Sequence, residues 1–198
     1  MDGSPAVGRG RVHGFEYTSR FCEENIYRMV ASLVSLDGQP DESQNGVHDH
    51  FDVVFISNPE RRAVMLQQKA SEDGLVVWDY HVVLLRQPRD SSPTSVLDLD
   101  TRLPFPCNAV EYFDEGFVSI DRRPDLTVCF RLIPAREFLR RFSSDRSHMI
   151  DKDTGEGPAA LTKHDLDLFI EMKPGSPQIE FPVKSLEEMR AFVARRTE

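Results

Sequence analysis

The sequence predicts an α+β domain in which one helix precedes a mostly antiparallel sheet and further helices follow it. Three observations support this order. An apolar stripe at helical spacing begins just after Cys22. Several extended runs rich in valine and aromatic residues lie between residues 51 and 133. Two stretches near the C-terminus place a hydroxyl residue three positions before an acid, ahead of an apolar stripe, which is typical of a capped helix start.

The size and charge of the chain restrict its class. A chain of 198 residues with 39% hydrophobic and 29% charged residues has the size and composition of a single globular domain. Its net charge of -9 and pI of about 5.2 argue against nucleic acid or an anionic membrane as a partner, because both attract a basic face.

Cysteine use and hydropathy predict the compartment. Cys22, Cys107 and Cys129 are an odd number without close spacing, which is typical of free thiols in a reducing environment. The first residues lack the apolar core of a signal peptide, and no run reaches the roughly 20 apolar residues of a membrane helix. We therefore expect a protein of the cytoplasm, the nucleus or both.

The N-terminal part is predicted to be a tail followed by a helix. Residues 1–16 contain four glycines and a proline without periodicity, so we expect a flexible tail there and a single domain over residues 17–198. The helix is predicted from Cys22 to Leu36, because apolar residues recur after it at positions i, i+3, i+4, i+7 and i+8 from Ile26.

The strands are predicted from apolar runs that end at turn residues. Residues 51–56 form the first run, and residues 127–133 form the last. Residues 75–85 are apolar on both faces, which indicates one long central strand. Residues 95–100 are expected to return antiparallel to it after a polar hairpin loop at residues 87–94.

Three helices are predicted towards the C-terminus. Residues 135–142 place Phe138, Leu139 and Phe142 on one face. Thr162-x-x-Asp165 and Ser185-x-x-Glu188 are capping patterns, so we expect one further helix after each of them.

Cys22 stands where the first helix is expected to begin. The unpaired amides of a helix start lower the pKa of a thiol, and a neighbouring imidazolium lowers it further, which makes a thiolate nucleophile. Glu23 and Glu24 would oppose this effect if they pointed at the sulfur. Most cysteines are structural, so Cys22 alone does not establish a thiol site.

His81 is the base that the predicted sheet offers to Cys22. Because side chains alternate along a strand, Asp79 and His81 are expected on one face, and Trp78 on the other face with the core. Taken alone, His81 would also fit a hydrogen-bonded core histidine.

Two aspartates can orient His81, and their spacing does not choose between them. A hairpin loop centred at residues 89–90 places Asp98 directly opposite His81, whereas a centre one residue later places Asp100 there. Either pairing brings a carboxylate to the imidazole. A cysteine, a histidine and an aspartate together predict a thiol hydrolase.

Two other clusters are weaker candidates. His48-Asp49-His50 lacks further ligands at a recognised metal spacing, so we expect no metal there and no cofactor elsewhere. Arg146 and His148 fit a structural hydrogen-bond cluster or a pocket wall.

Longer blocks of the chain resemble a known family. The sequence is similar to the eukaryotic protein N-terminal glutamine amidohydrolases over roughly residues 17–172. The blocks that carry the resemblance are Tyr17-Thr18-Ser19, Phe21-Cys22-Glu23-Glu24-Asn25, Val54-Phe55-Ile56-Ser57-Asn58, residues 78–85, Asp98-Leu99-Asp100-Thr101, Leu103-Pro104-Phe105-Pro106-Cys107, Phe142 and residues 144–149.

The resemblance implies a papain/transglutaminase-like α+β fold and a monomeric enzyme. It implies conversion of an N-terminal glutamine of a protein or peptide to glutamate with release of ammonia, which prepares the chain for arginylation in the N-degron pathway. It maps a Cys-His-Asp triad onto Cys22, His81 and Asp98, and so favours Asp98 over Asp100. No metal or cofactor is implied.

The chain departs from the family pattern in two loops. Gly175-Ser176-Pro177-Gln178 stands in place of a Gly-Trp-Gly segment, and a proline-rich stretch is reduced to Gly157-Pro158. These changes leave the expected triad intact, but they put in doubt any substrate contact made by those loops.

Recognition of an N-terminal residue requires a group that binds its ammonium. Asp79 and Glu23 are the carboxylates that we expect in this role. Two other functions fit the same residues: another Cys-His-Asp thiol enzyme, such as a peptidase or acyltransferase, and a non-catalytic adaptor that binds N-termini.

Overall fold

A computed structural model gives the architecture of the chain, and it describes residues 9–36, 49–117, 126–142, 164–173 and 181–195. The helices in these ranges are α1 (Cys22–Leu36), α2 (Ala109–Glu115), α3 (Ala135–Arg141), α4 (His164–Ile170) and α5 (Leu186–Ala194). The strands are β1 (Arg9–Val12), β2 (Phe15–Thr18), β3 (His50–Ser57), β4 (Ala63–Met65), β5 (Val76–Trp78), β6 (His81–Gln87), β7 (Ser95–Leu97), β8 (Cys107–Asn108), β9 (Cys129–Pro134) and β10 (Val183–Ser185).

A six-stranded antiparallel sheet forms the centre of the fold. Its order is β10-β9-β3-β6-β7-β8, so β3 and β6 are inner strands. Two small hairpins, β1-β2 and β4-β5, lie outside it. The predicted combination of helices with an antiparallel sheet is confirmed, but the order differs from the prediction: β1 and β2 precede α1, α2 lies between β8 and β9, and β10 lies between α4 and α5.

Helices cover both faces of this sheet. Alternate residues of β3 point to opposite sides, with Val53 and Phe55 in one buried cluster and Val54 and Ile56 in the other. The first cluster also contains buried residues of α1, α3 and α4, and the second contains those of α2 and α5. The sheet is thus the middle of three layers, and α1 is fixed against the face that includes Val53.

Several boundaries agree with the sequence predictions. The helix expected from Cys22 to Leu36 has those limits, with Ile26, Met29 and Val30 almost completely buried. Ser185 caps α5 in a complete capping box with Glu188, in which each side chain bonds the other residue's backbone amide. Within the described part of the chain, no helix is long and apolar enough to cross a membrane.

Residues 9–18 form a hairpin, whereas the sequence predicted a flexible tail through residue 16. Val12 pairs with Phe15, and the two residues between them both have positive φ, 50° at His13 and 86° at Gly14. Such a two-residue turn matches the twist of the strands that it joins. The prediction of a tail through residue 16 missed this turn; the part before residue 9 lies outside the described residues.

The long central strand expected over residues 75–85 is in fact two strands in two sheets. β5 pairs with β4, and β6 pairs with β3, so the chain changes sheet at Asp79 and Tyr80. The Ser57 hydroxyl donates a 2.6 Å hydrogen bond to the Asp79 carbonyl, which satisfies this carbonyl outside any ladder. An apolar run of this length concealed the break.

Some predicted features fall outside the described residues. They are Thr162, the cluster at residues 144–149 and the two departing loops at residues 157–158 and 175–178.

Candidate active site

The start of α1 is held by a side-chain clamp rather than by packing alone. Asn25 accepts a 2.8 Å hydrogen bond from the Thr18 amide and donates a 2.9 Å bond to the Thr18 carbonyl. Asn25 and Thr18 are both buried. This clamp joins the first turn of α1 to the end of β2, so the backbone that carries Cys22 has a defined position.

His81 lies at the first position of β6, immediately after the change of sheet. It is opposite Ile56 of β3 and is 2% exposed. Its Nε2 lies 3.0 Å from Oδ1 of Asp98. The inner strand thus places a buried imidazole against a buried carboxylate.

The hairpin that carries Asp98 has the register that would place Asp100, and not Asp98, opposite His81. Leu84 pairs with Leu97 and Leu85 with Val96, so the loop is centred one residue later than the pairing of His81 with Asp98 requires. β7 ends at Leu97, and the side chain of Asp98 still reaches His81. Diagonal cross-strand neighbours are close enough for such contacts. Of the two registers that the sequence left open, the structure has the one that places Asp100 opposite His81, and the predicted contact between His81 and Asp98 is nevertheless present.

Asp98 has a hydrogen-bond partner on each oxygen. The Tyr112 hydroxyl donates to Oδ2 at 2.8 Å, and the Asp100 amide donates to Oδ1 at 2.9 Å. Burial favours the neutral acid, but the charge and hydrogen bond of His81 outweigh it and lower the pKa of Asp98. Burial likewise opposes a charged ring, yet Asp98 and Cys22 together raise the pKa of His81 well above its usual range.

Cys22 and His81 line the same pocket, and the two groups are close enough to influence each other's charge state. Burial raises the pKa of Cys22 to about 11, although His81 acts to lower it. The lowered thiol pKa expected from the helix start is therefore not observed, because desolvation outweighs the favourable terms.

The two acids after Cys22 point in different directions. Oε2 of Glu23 lies 3.6 Å from the Cys22 sulfur, and its charge raises the thiol pKa further. Burial raises the pKa of Glu23 itself, and the Tyr80 side chain forms a hydrogen bond with it. Glu24 instead forms a 2.5 Å ion pair with Arg28 along the helix. Only Glu23 acts on the sulfur.

A pocket of about 680 Å³ opens over Cys22 and His81. Asp79, Tyr80, Asp100, Tyr17, Lys69 and Trp78 also line it. Asp79 is exposed at this pocket, whereas Glu23 is 6% exposed and lies behind the sulfur.

Trp78 packs against the buried cluster that includes Val54 and Ile56, as predicted, but it also lies beside His81. The two rings are stacked at 6.1 Å with an interplanar angle of 16°. The predicted separation of Trp78 from His81 was wrong because the two residues belong to different strands. Trp78 also donates a 3.3 Å hydrogen bond to Gln68, which fixes the indole as a wall of the pocket.

Two tyrosines that contact the acidic residues were not identified as site residues from the sequence. Tyr112 binds Asp98 from α2, in a stretch whose mixed pattern gave no signal. Tyr17 donates a 2.5 Å hydrogen bond to Oδ1 of Asp100. Tyr17 was part of the family-like block, so its position in that block was the available signal.

His81, Asp98 and Asp100 are the described residues that could hold a metal, with one ligand atom each within 4.8 Å of one another. Each of them already has a hydrogen-bond partner. In the His48-Asp49-His50 stretch, Asp49 pairs with Arg86 and His50 with Asp52, so these two described residues do not converge.

The sequence is similar to a family model and to known proteins over most of its length. A sequence model of the N-terminal glutamine amidase family matches residues 17–192. A Bos taurus protein is 38% identical over 170 residues, which cover 80% of this chain and 78% of the relative. It is named protein N-terminal glutamine amidohydrolase.

Two further relatives carry the same name. The Danio rerio protein is 39% identical over 139 residues, which cover 69% of this chain and 65% of the relative. The Oryza sativa subsp. indica protein is 37% identical over 142 residues, which cover 69% and 59% respectively. This chain thus spans less than two thirds of the length of these two relatives.

Proposed function

Because the chain belongs to the N-terminal glutamine amidase family, we propose that it deamidates the side chain of an N-terminal glutamine in proteins and peptides. The products are an N-terminal glutamate and ammonia. The observation that carries this proposal is that Cys22 and His81 line one pocket, with Asp98 hydrogen-bonded to His81.

In the first half of the reaction Cys22 is the nucleophile and His81 the base. His81 takes the thiol proton, and the sulfur attacks the side-chain amide carbon to give a tetrahedral intermediate. Asp98 holds the ring and stabilises the imidazolium, consistent with the raised pKa of His81. Backbone amides at the start of α1, including that of Cys22, are the donors that we propose for the developing oxyanion.

The second half releases both products. His81 gives its proton to the leaving nitrogen, ammonia departs, and a thioester remains on Cys22. His81 then takes a proton from water, whose hydroxide attacks the thioester carbon. Collapse of this second intermediate breaks the carbon–sulfur bond, and the sulfur recovers the proton from His81. No step uses a metal or a cofactor.

Selectivity for glutamine over asparagine would follow from the position of the reacting carbon. The two side chains differ by one methylene, and one methylene in an apolar pocket discriminates only about 10- to 200-fold. Stricter selectivity requires that the shorter amide fail to reach Cys22. For the α-ammonium, Asp79 and Glu23 were the candidates from the sequence; Asp79 is exposed and Glu23 lies behind the sulfur.

The wider assignments rest on the same family membership. The position of a cysteine at a helix start, against an antiparallel sheet that carries the histidine, supports a papain/transglutaminase-like arrangement. We further propose that the protein acts as a monomer in the cytoplasm or nucleus, and that its product enters the N-degron pathway.

Mass spectrometry of peptide products tests the proposal directly. A peptide that begins with glutamine should acquire glutamate and release one equivalent of ammonia, whereas an asparagine-initiated peptide and one with internal glutamine should not react. The Cys22→Ser protein is the matched control and should give no product.

The same experiment separates the competing functions. A peptidase would give shortened peptides, and an adaptor would leave every peptide unchanged while both wild type and Cys22→Ser bind it. No conversion by protein whose Cys22 is demonstrably reduced would exclude the amidohydrolase activity.

A further inference from the structure

Asp100 is a carboxylate of the pocket that the proposed chemistry does not use. Asp98 is buried behind His81, and Glu23 lies behind the sulfur, so neither is among the described residues that line the cavity. Asp79 and Asp100 are the lining carboxylates in this part of the chain. Asp79 is exposed, whereas Asp100 is partly buried beside the reacting groups, with an oxygen within 4.8 Å of a His81 nitrogen.

The backbone and side chain of Asp100 are both held in place. Its amide donates to Asp98, and its carbonyl accepts a 2.8 Å hydrogen bond from the Lys69 amide. The Tyr17 hydroxyl donates to Oδ1. A carboxylate has about four acceptor sites, so Oδ2 in particular still has acceptor capacity for a ligand.

Asp100 has no ion-pair partner among the described side chains. Lys69 lies close enough to influence it, but the Lys69 ammonium donates to the Leu99 carbonyl at 3.1 Å. Burial and the charge of Asp98 raise the pKa of Asp100, while His81, Tyr17 and Lys69 act in the opposite direction. The Asp100 carboxylate has no ion-pair partner among these described side chains. A cation that binds at its Oδ2 would therefore supply the missing counter-charge.

We propose that Asp100, oriented by Tyr17, is the specificity residue that binds the α-ammonium of the substrate's first residue. This inference rests on the proposed deamidation. In glutamine the α-nitrogen is four bonds from the reacting carbon, which places it about 5 Å away in an extended side chain. Asp100 lines the same pocket as Cys22 and has an oxygen within 4.8 Å of a His81 nitrogen.

Such a contact explains how the pocket would recognise a free N-terminus. The α-ammonium carries three donors and a positive charge, and a charge-assisted hydrogen bond is stronger than a neutral one. An internal or acylated glutamine presents a neutral amide with one donor at the same point. Its binding would leave Asp100 buried without a counter-charge.

The test compares two peptides that differ only at the ammonium. One begins with glutamine, and the other begins with a 4-carbamoylbutanoyl group, which is glutamine without its α-amino group. Wild type should prefer the first, and Asp100→Asn should reduce kcat/KM for it roughly 10- to 100-fold, mainly through KM. For the second peptide the loss should be smaller than threefold, so the preference collapses.

Three further variants make the outcome specific. Tyr17→Phe should weaken the preference less than Asp100→Asn, because the carboxylate remains but loses its orienting hydroxyl. Asp90→Asn removes a charge from the exposed hairpin loop and is the matched control, with the preference unchanged. Asp79→Asn tests the competing carboxylate.

Three results would overturn the inference. Asp100→Asn retains the wild-type preference, or Asp79→Asn abolishes the preference instead. In the third, Asp100→Asn reduces turnover of both peptides equally through kcat, which would place Asp100 in the chemistry. If wild type deamidates neither peptide, the proposed function itself fails and this inference with it.

Discussion

The two sides of the His81 ring are built differently. On one side Asp98 is buried, both of its oxygens are hydrogen-bonded, and its pKa is lowered. On the other side Cys22, Glu23 and Asp100 surround or line a pocket, and the pKa of each is raised, first by burial. The ionised form of Asp98 is thus favoured, whereas the ionised forms of Cys22, Glu23 and Asp100 are disfavoured.

The contrast shows that burial alone does not set the charge state of an acid. Asp98 is the most deeply buried of the three carboxylates, yet it is the one whose ionised form is favoured, because a cationic ring faces it. Glu23 lies instead beside a thiol, and Asp100 beside a second carboxylate. Asp98 is therefore favoured as an anion. The pKa values of Glu23 and Asp100 remain raised, so a cationic ligand would favour their ionised forms.

Replacement of Cys22, the proposed nucleophile, should disrupt the pocket side alone and have the largest effect. Cys22→Ser should lower kcat by at least about 10⁴-fold, because a hydroxyl beside the same base is a far weaker nucleophile. The free energy of unfolding should change by less than about 1 kcal/mol, since the side chains have similar volume. Peptide turnover and chemical denaturation measure the two quantities; residual activity above 1% would contradict the nucleophile assignment.

Asp98→Asn should remove the charged partner of His81 and lower both activity and stability. Without the carboxylate the ring loses its orienting charge, so kcat should fall roughly 10³-fold or more. Removal of one partner from a buried pair should also lower the free energy of unfolding by about 3 kcal/mol. A variant with normal activity would exclude Asp98 from the triad.

The stability difference between wild type and Asp98→Asn should depend on pH. Stabilisation by ionised Asp98 is present above its unfolded pKa of about 3.9 and is lost as pH falls through the lowered folded pKa. Stabilisation by charged His81 is full below about 6.5 and is lost as pH rises through its raised folded pKa. The difference should therefore be largest between these limits and shrink on both sides, as urea denaturation over a pH series can measure.

Glu23→Gln tests the electrostatics of the pocket side, and its expected effect is smaller than those of the Cys22 and Asp98 variants. The ionised carboxylate beside the sulfur raises the pKa of Cys22, so its neutral replacement should shift the thiol titration to lower pH. Alkylation by iodoacetamide below pH 9 should become roughly 3- to 10-fold faster, because the thiolate is the reacting form. Glu24→Gln, whose side chain pairs with Arg28, is the matched control. Equal shifts in both variants would show a general charge effect instead.

A change remote from His81 should have the smallest effect on function. Ser185→Ala removes the capping box of α5 and should cost about 1 kcal/mol in the free energy of unfolding. kcat and KM should remain within about twofold of wild type. A larger loss of activity would mean that α5 supports the site through the sheet more directly than its position indicates.

Local patterns in the sequence predicted the helices better than the sheet. The stripe after Cys22 and the capping pattern at Ser185 each depend on residues a few positions apart, and both are observed as predicted. The break at Asp79 and Tyr80 depends on Ser57, which is more than twenty positions away, so the apolar run could not reveal it. The His13-Gly14 turn was a local signal that the glycine-rich composition obscured.

The sequence predicted which residues of the site lie together, but it did not predict their charge states. Residue types and family-like blocks predicted that Cys22, His81 and Asp98 lie together; in the structure Asp98 is hydrogen-bonded to His81, and Cys22 lines the same pocket as His81. The hairpin register alone would have selected Asp100, because only the short β7 and the bend after it bring Asp98 to the ring. The raised pKa of Cys22 depends on three-dimensional burial, which a linear pattern does not contain.

The clamp between Asn25 and Thr18 has a consequence for hydrogen exchange. Helix ends are usually the first parts of a fold to open, and their amides exchange rapidly with solvent. Here the Thr18 amide is buried and bonded to a side chain of the helix, so it can exchange only when the first turn of α1 separates from β2. Slow exchange of the Thr18 amide would show that the start of α1 opens as rarely as the most stable part of the fold. Rapid exchange would show that the segment that carries Cys22 opens frequently.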